Sequence, residues 1–285
     1  MNRLEQSTPS DGSARLSRKN TQSLARLTAP ILIAGFALSL PAASPVLGKA
    51  KSQAAATGDS AIEPEAMAGL NKMGTYLRTL KAFQVQAEIT TDDVLDSGQL
   101  IESSKKVDVV AVSPNRLRVE TTTDSEHRIS FFDGKNFTIF GLNTNYYATV
   151  PAPPTIVELI DNVNKKYGIE LPLVDLFQWG NNPDLVKRIK SGIDVGPTSV
   201  DGITCEQYAF HQEQVDWQIW IQLGDYPLPR KLVIQTLTDD ARPQYREKLV
   251  WNLAPSYSDD AFTFDPPPNA QRIKIEEVKP DATNK

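Results

Sequence analysis

At Phe83 the hydrophobic period of the chain changes from 3.6 residues to 2, and it stays near 2 over most of the remaining length. Before that point Met67, Leu70, Met73, Leu77 and Leu80 recur at helical spacing behind Pro64, which suits the first turn of a helix. After it, Phe83, Val85, Ala87 and Ile89 alternate with Gln84, Gln86, Glu88 and Thr90, the pattern of a half-buried strand. The alternation returns at Val107/Val109, Leu117/Val119, Ile129/Phe131 and Phe137/Ile139. Turn signals separate these runs: Asp96-Ser97-Gly98, Ser113-Pro114-Asn115 and Asp133-Gly134. Such a series folds as an antiparallel meander, apolar on one face and wet on the other.

A helical insertion comes next. Pro153-Pro154 stop the preceding strand, Thr155 and Glu158 have capping-box spacing, and Ile156, Leu159, Ile160, Val163 and Tyr167 form a stripe that ends at Gly168. A second short helix is predicted over LPLVDLFQW (171–179) and a third from Asn182-Pro183. Strands resume at 189–195, 203–211, 214–223, 230–237 and 244–253, with a last short piece near Phe262–Phe264. The expected class is mainly β (α+β). About ten strands form one strongly curved antiparallel sheet or half-open β-barrel, with an N-terminal helix and an inserted helical lid.

The first fifty residues have another character. Arg3, Arg15, Arg18, Lys19 and Arg26 precede the uncharged run LTAPILIAGFALSL (27–40), the layout of a secretory signal. That run is shorter than the roughly 20 apolar residues of a membrane span. Residues 1–50 are therefore read as a signal peptide or N-terminal anchor, 51–63 as a flexible linker, 64–275 as one domain and 276–285 as a polar tail. The expected location is the periplasm. No cysteine follows the apolar run closely, so lipidation there is not expected, and the single Cys205 cannot form an intramolecular disulfide. Six of the 30 basic and two of the 35 acidic residues lie in the first fifty positions. The remainder carries a net charge of about −9, a balance that argues against binding nucleic acid.

Few residues offer chemistry. The two histidines, His127 and His211, have no metal-ligand spacing, and no nucleophile elbow, phosphate loop or dinucleotide fingerprint is present. No cofactor is expected. Cys205, His211 and Asp216 have the composition of a thiol triad. However, six residues of continuous strand separate Cys205 from His211 by about 20 Å, where a nucleophile and its base need about 3 Å. The chain is read as a binding protein without catalytic residues.

The stretch VDWQIWIQLGDYPLPRKLVIQT (215–236) is the most informative. Val215, Trp217, Ile219, Ile221 and Leu223 share one face, whereas Trp220 falls with Asp216, Gln218 and Gln222 on the other. Strand phase assigns Trp217, Ile219, Trp251, Phe83, Val85, Phe131 and Ile139 to one concave wall, the candidate ligand-binding residues. Periodicity does not decide between a packed core and a ligand-sized apolar cavity there. Trp220, on the nominally wet face, favours an alternative in which the fold serves as an envelope protein-interaction or sensing module.

The same stretch carries a resemblance. Together with PQYREKLVWNLAP (243–255), FTFDPPPNAQRI (262–273), PEAMAGLNKMGTYLRTLKAFQVQAE (64–88), SPNRLRVE and FFDGKNFTIF, it resembles the bacterial periplasmic proteins of domain-of-unknown-function family 2092. That family is more remotely similar to the lipoprotein carriers and receptors LolA and LolB. The resemblance implies an export signal and a half-open barrel whose apolar face, covered by helices, takes a lipid or lipoprotein acyl chain. It supplies no catalytic residue.

Overall fold

The computed structural model describes residues 62–173, 176–177 and 183–278. The segment 1–50 read as a signal peptide or anchor, nearly all of the expected linker, part of the helix predicted at 171–179 and most of the expected polar tail lie outside them. The described chain begins with helix α1 (Pro64–Thr79), followed by strands β1 (Ala82–Val94), β2 (Leu100–Val112), β3 (Arg116–Thr123), β4 (His127–Phe132), β5 (Asn136–Gly141) and β6 (Tyr146–Pro151). Helices α2 (Ile156–Tyr167) and α3 (Pro183–Lys187) belong to the insertion. Strands β7 (Ile189–Val200), β8 (Ile203–Gln212), β9 (Val215–Gln222), β10 (Pro229–Thr236) and β11 (Gln244–Asn252) come next, then a 3₁₀ turn (Asp259–Phe262) and β12 (Gln271–Arg272).

All twelve strands join one curved sheet in the order β12-β6-β5-β4-β3-β2-β1-β11-β10-β9-β8-β7. The first meander and the second meet where β1 pairs with β11, and the outermost strands do not pair with each other, so the sheet stays open. Twelve strands stand where about ten are expected from the sequence. The segment near Phe262–Phe264 is not a strand but the end of the 3₁₀ turn, and the last strand is β12, which bonds to β6 in parallel. Sequence alternation cannot find a two-residue strand, because two residues do not make a period.

Both long helices lie on the same face of the sheet. Ala66, Leu70, Met73 and Leu77 of α1 and Leu159 and Val163 of α2 belong to one buried cluster with the inward residues of the strands. Capping sets the ends of α2 as read from the sequence. The Thr155 hydroxyl accepts from the Glu158 N–H at 3.2 Å, and Gly168 closes the helix at φ +65°. The Glu63 side chain does not cap α1. Its carboxylate accepts instead from the Asp194 N–H of β7 at 2.7 Å, tying the start of the helix to the sheet edge.

A glycine fixes the height of α1 above the sheet. A Cβ at Gly69 would lie 2.4 Å from Cζ of Tyr208 on β8, whose ring is buried beneath the helix. Burial, with Asp194 and Glu206 nearby, pushes the Tyr208 phenol up to about 12, so it sits there uncharged. Gly69→Ala is expected to lower stability by about 1–3 kcal/mol through overpacking, against a helix-propensity gain of about 1 kcal/mol. In a Tyr208→Ala background the propensity gain should dominate and the sign reverse. A urea double-mutant cycle measures this, and a vanishing coupling energy would show that α1 slides freely.

Candidate functional site

The inward faces of the strands build the site. Val85 and Ile219 are fully buried, Phe83 and Trp217 are nearly so, and Ile139 and Trp251 pack on the same cluster half-buried. These predicted residues share the inward face and one buried cluster, although only β1 and β11 are paired, with β10 between β11 and β9 and with β5 four strands from β1. Val85 stands opposite Trp251, and Ile219 lies between Tyr208 and Leu232. Two aromatic groups dominate the face. Phe210 stacks on Trp217 with ring centroids 4.3 Å apart. Phe83 packs on Trp251 at 5.6 Å, and the Trp251 indole N–H donates to the Pro229 carbonyl at 2.9 Å, which fixes the ring's orientation.

Phe131 is the exception. β4 pairs with β3 so that Phe132, not Phe131, stands opposite Leu117 and points inward beside Phe137. Phe131 lies on the convex face, its ring 5.5 Å from Phe264. In the run HRISFF either phase offers apolar residues, so alternation alone selects the wrong set.

Phe177 joins the candidate wall, although sequence reasoning does not single it out. It belongs to the inserted segment after α2, and its ring stacks on Phe83 at 5.2 Å and meets Trp251 at 6.4 Å. The spacing of Leu173, Leu176 and Phe177 within the predicted second helix is the available signal. Through it the insertion covers the Phe83–Trp251 end of the concave wall. Leu159 and Val163 of α2 are buried in the same cluster. Side chains of the helices therefore fill the concave face in this state. Among the described residues, clefts open elsewhere. One of about 240 Å³ lies on the outer face, lined among others by Asp133, Thr138, Tyr147, Phe264 and Arg272. A shallow one of about 440 Å³ lies beside α1 against Asp225 and Pro227.

Trp220 is on the convex side, as its phase requires, but it is not exposed. Only 8% of its surface is accessible, and it packs with Val200, Cys205, Ile203 and Val233 in a small second cluster. The Lys231 ammonium lies 4.4 Å from its ring centroid, within cation–π range. An outward aromatic offered to a partner is thus replaced by a core covered by its own neighbours.

One carboxylate lies on the concave face: Glu247 is buried opposite Ile89 and Leu232 and accepts from the Tyr245 hydroxyl at 3.0 Å. The thiol and the two histidines lie outside that wall. Cys205 stands opposite Gln222, while His211 Nδ1 pairs with the Asp216 carboxylate at 2.6 Å, so thiol and imidazole sit at opposite ends of β8. On the convex face Glu120 binds His127 at 2.5 Å and Arg118 at 2.6 Å. Burial alone would raise its carboxyl, but those hydrogen bonds outweigh it and hold the group below the usual range. Among the described residues no group of three His, Cys, Asp or Glu side chains is placed to hold a metal ion. No helix among them is long and apolar enough to cross a membrane.

A family model described as "Predicted periplasmic protein (DUF2092)" matches residues 66–276, from the first turn of α1 to beyond β12. The chain belongs to the DUF2092 family. The DUF2092 match thus takes in both meanders, the insertion and β12. No curated protein sequence matches it. Among solved structures, LprF from Mycobacterium bovis shares 14% identity over 69% of this chain and 97% of its own, with a TM-score of 0.43. The Mycobacterium tuberculosis lipoprotein LppX shares 13% over 68% and 98%, also at 0.43. MucB shares 14% over 71% of this chain and 64% of its own, at 0.42.

Proposed function

We propose that this DUF2092 protein is an exported, non-catalytic binding protein that holds a lipid acyl chain or similar apolar chain against the concave face of a half-barrel. The observation that carries the reading is the cover. The apolar wall of Phe83, Val85, Trp217, Ile219, Trp251 and Ile139 is closed over one end not by strand but by an insertion between β6 and β7. In this reading α2 is the lid, residues 64–275 act as one unit, and the N-terminal signal delivers it to the periplasm.

Magnitudes set what it can hold. Displacing Leu159, Val163 and Phe177 forfeits about 1.5–3 kcal/mol for each side chain, about 5–9 kcal/mol together. Each methylene buried in their place returns about 0.8 kcal/mol. Chains of about six to eleven methylenes break even, so chains no longer than the lower end of that range should not bind, and near balance suits a protein that must also release its load. Native mass spectrometry with fatty acids of increasing length tests this, alongside organic extraction of protein purified without detergent. Palmitate should bind and octanoate should not. Recovery of no lipid together with no binding of palmitate would end the carrier reading.

The alternative of an envelope interaction module loses its main support with the burial of Trp220. What remains for it is the open edge at β7, and that edge carries Pro197 and a register shift between Asp194 and Gly196, devices that blunt edge pairing.

A further inference from the structure

After β11 the chain runs along the outer face, reaches the edge of β6 and ends its described course against α2. Phe262 is buried, and the Phe264 ring sits 5.0 Å from Tyr147, 5.3 Å from Phe140 and 5.5 Å from Phe131. Two residues of β12 then pair with β6, with the Gln271 N–H donating to Asn145 O at 2.9 Å and the Ile273 N–H to Tyr147 O at 2.8 Å. Finally the Val278 N–H donates to the Lys166 carbonyl at 2.7 Å. Lys166 lies in the last turn of α2, where carbonyls lack partners within the helix. A Cβ at Gly168 would come within 3.2 Å of Val278, so the glycine that closes α2 also admits the strap.

We propose that this C-terminal strap is the latch of the lid: anchored firmly on the outer face by Phe262 and Phe264, it pins the end of α2 and sets how readily the concave face opens. The proposal rests on the reading of α2 as a movable cover. The asymmetry of the strap supports it. Its anchor consists of aromatic rings packed on the sheet, whereas its tip contributes one hydrogen bond and a valine 55% exposed. The tip therefore lets go before the anchor does, and α2 is released without loss of the sheet. A strap that served only to protect the β6 edge would not need to continue to α2.

Hydrogen exchange on the full-length protein, free of ligand, tests the latch. Val278→Pro deletes the donor N–H at an exposed position. The α2 amides (156–167) should then exchange about three- to tenfold faster, the range expected for one lost hydrogen bond, while β1 and β11 keep the wild-type rates. Phe264→Ala should give the same signature in α2 with faster exchange in β6 as well. Unchanged α2 rates in a folded Val278→Pro protein would overturn the proposal. So would a uniform acceleration across sheet and helix, which would assign the tail to global stability. Because no ligand enters the measurement, a loosened α2 in a protein that fails to bind palmitate would sustain the latch and reject the carrier.

Discussion

Truncating Phe132 to alanine is expected to cost about 3–5 kcal/mol, while the same change at Phe131 costs about 1–2 kcal/mol. Phe132 is fully buried on the concave side, opposite both Leu117 and Phe137, and its loss leaves a cavity that neighbouring strands cannot close. Phe131 is half-buried on the outer face against Phe264 and beneath the Arg118 guanidinium, where water and the strap can adjust. Urea denaturation of both variants reads the difference. Equal costs would mean that the outer layer under the strap is as much a core as the concave one.

Leu159→Asp is expected to detach α2 from the domain rather than unfold it. Leu159 is completely buried, and an uncompensated carboxylate there costs about 3–5 kcal/mol. In the variant only Val163 of the two buried side chains still holds α2, worth about 1.5–3 kcal/mol, so departure of the helix is the cheaper response. A domain of this size holds about 5–15 kcal/mol in total, most of it in contacts α2 does not make. Circular dichroism should lose helix and keep strand signal, and binding of an apolar dye should rise as the concave apolar wall is uncovered. Loss of the strand signal in step with the helix would show that α2 is part of the core and not a lid.

Much of the architecture is legible in the sequence because local rules and burial agree. The change of period at Phe83, the capping box at Thr155, the stop at Gly168 and the turn at Asp133-Gly134 each rest on a few adjacent residues. Asp133 illustrates the last case: its carboxylate accepts the N–H groups of Lys135 at 2.8 Å and Asn136 at 2.7 Å. The meander faces can be read wherever one face is wet. They become ambiguous where the C-terminal strap supplies a second apolar layer, and there periodicity places Phe131 and Phe132 one residue out of phase. Trp220 misleads for a related reason, since Val200, Ile203 and Val233 reach it from neighbouring strands. Phe177 and Val278 act through contacts to residues far away in sequence, which no periodicity records.

The small cluster around Trp220 also has a chemical consequence. In the oxidising periplasm proposed for this chain, a protein with one unpaired cysteine is open to mixed disulfides and covalent dimers. Here Cys205 has no accessible surface, its thiol is directed at the Ile203 carbonyl, and burial pushes its pKa up. Both the reactive thiolate and the approach of an oxidant are thereby suppressed. Trp220 and Val200 act as a shutter over the sulfur, and a folded molecule can pass its working life there without acquiring a covalent partner.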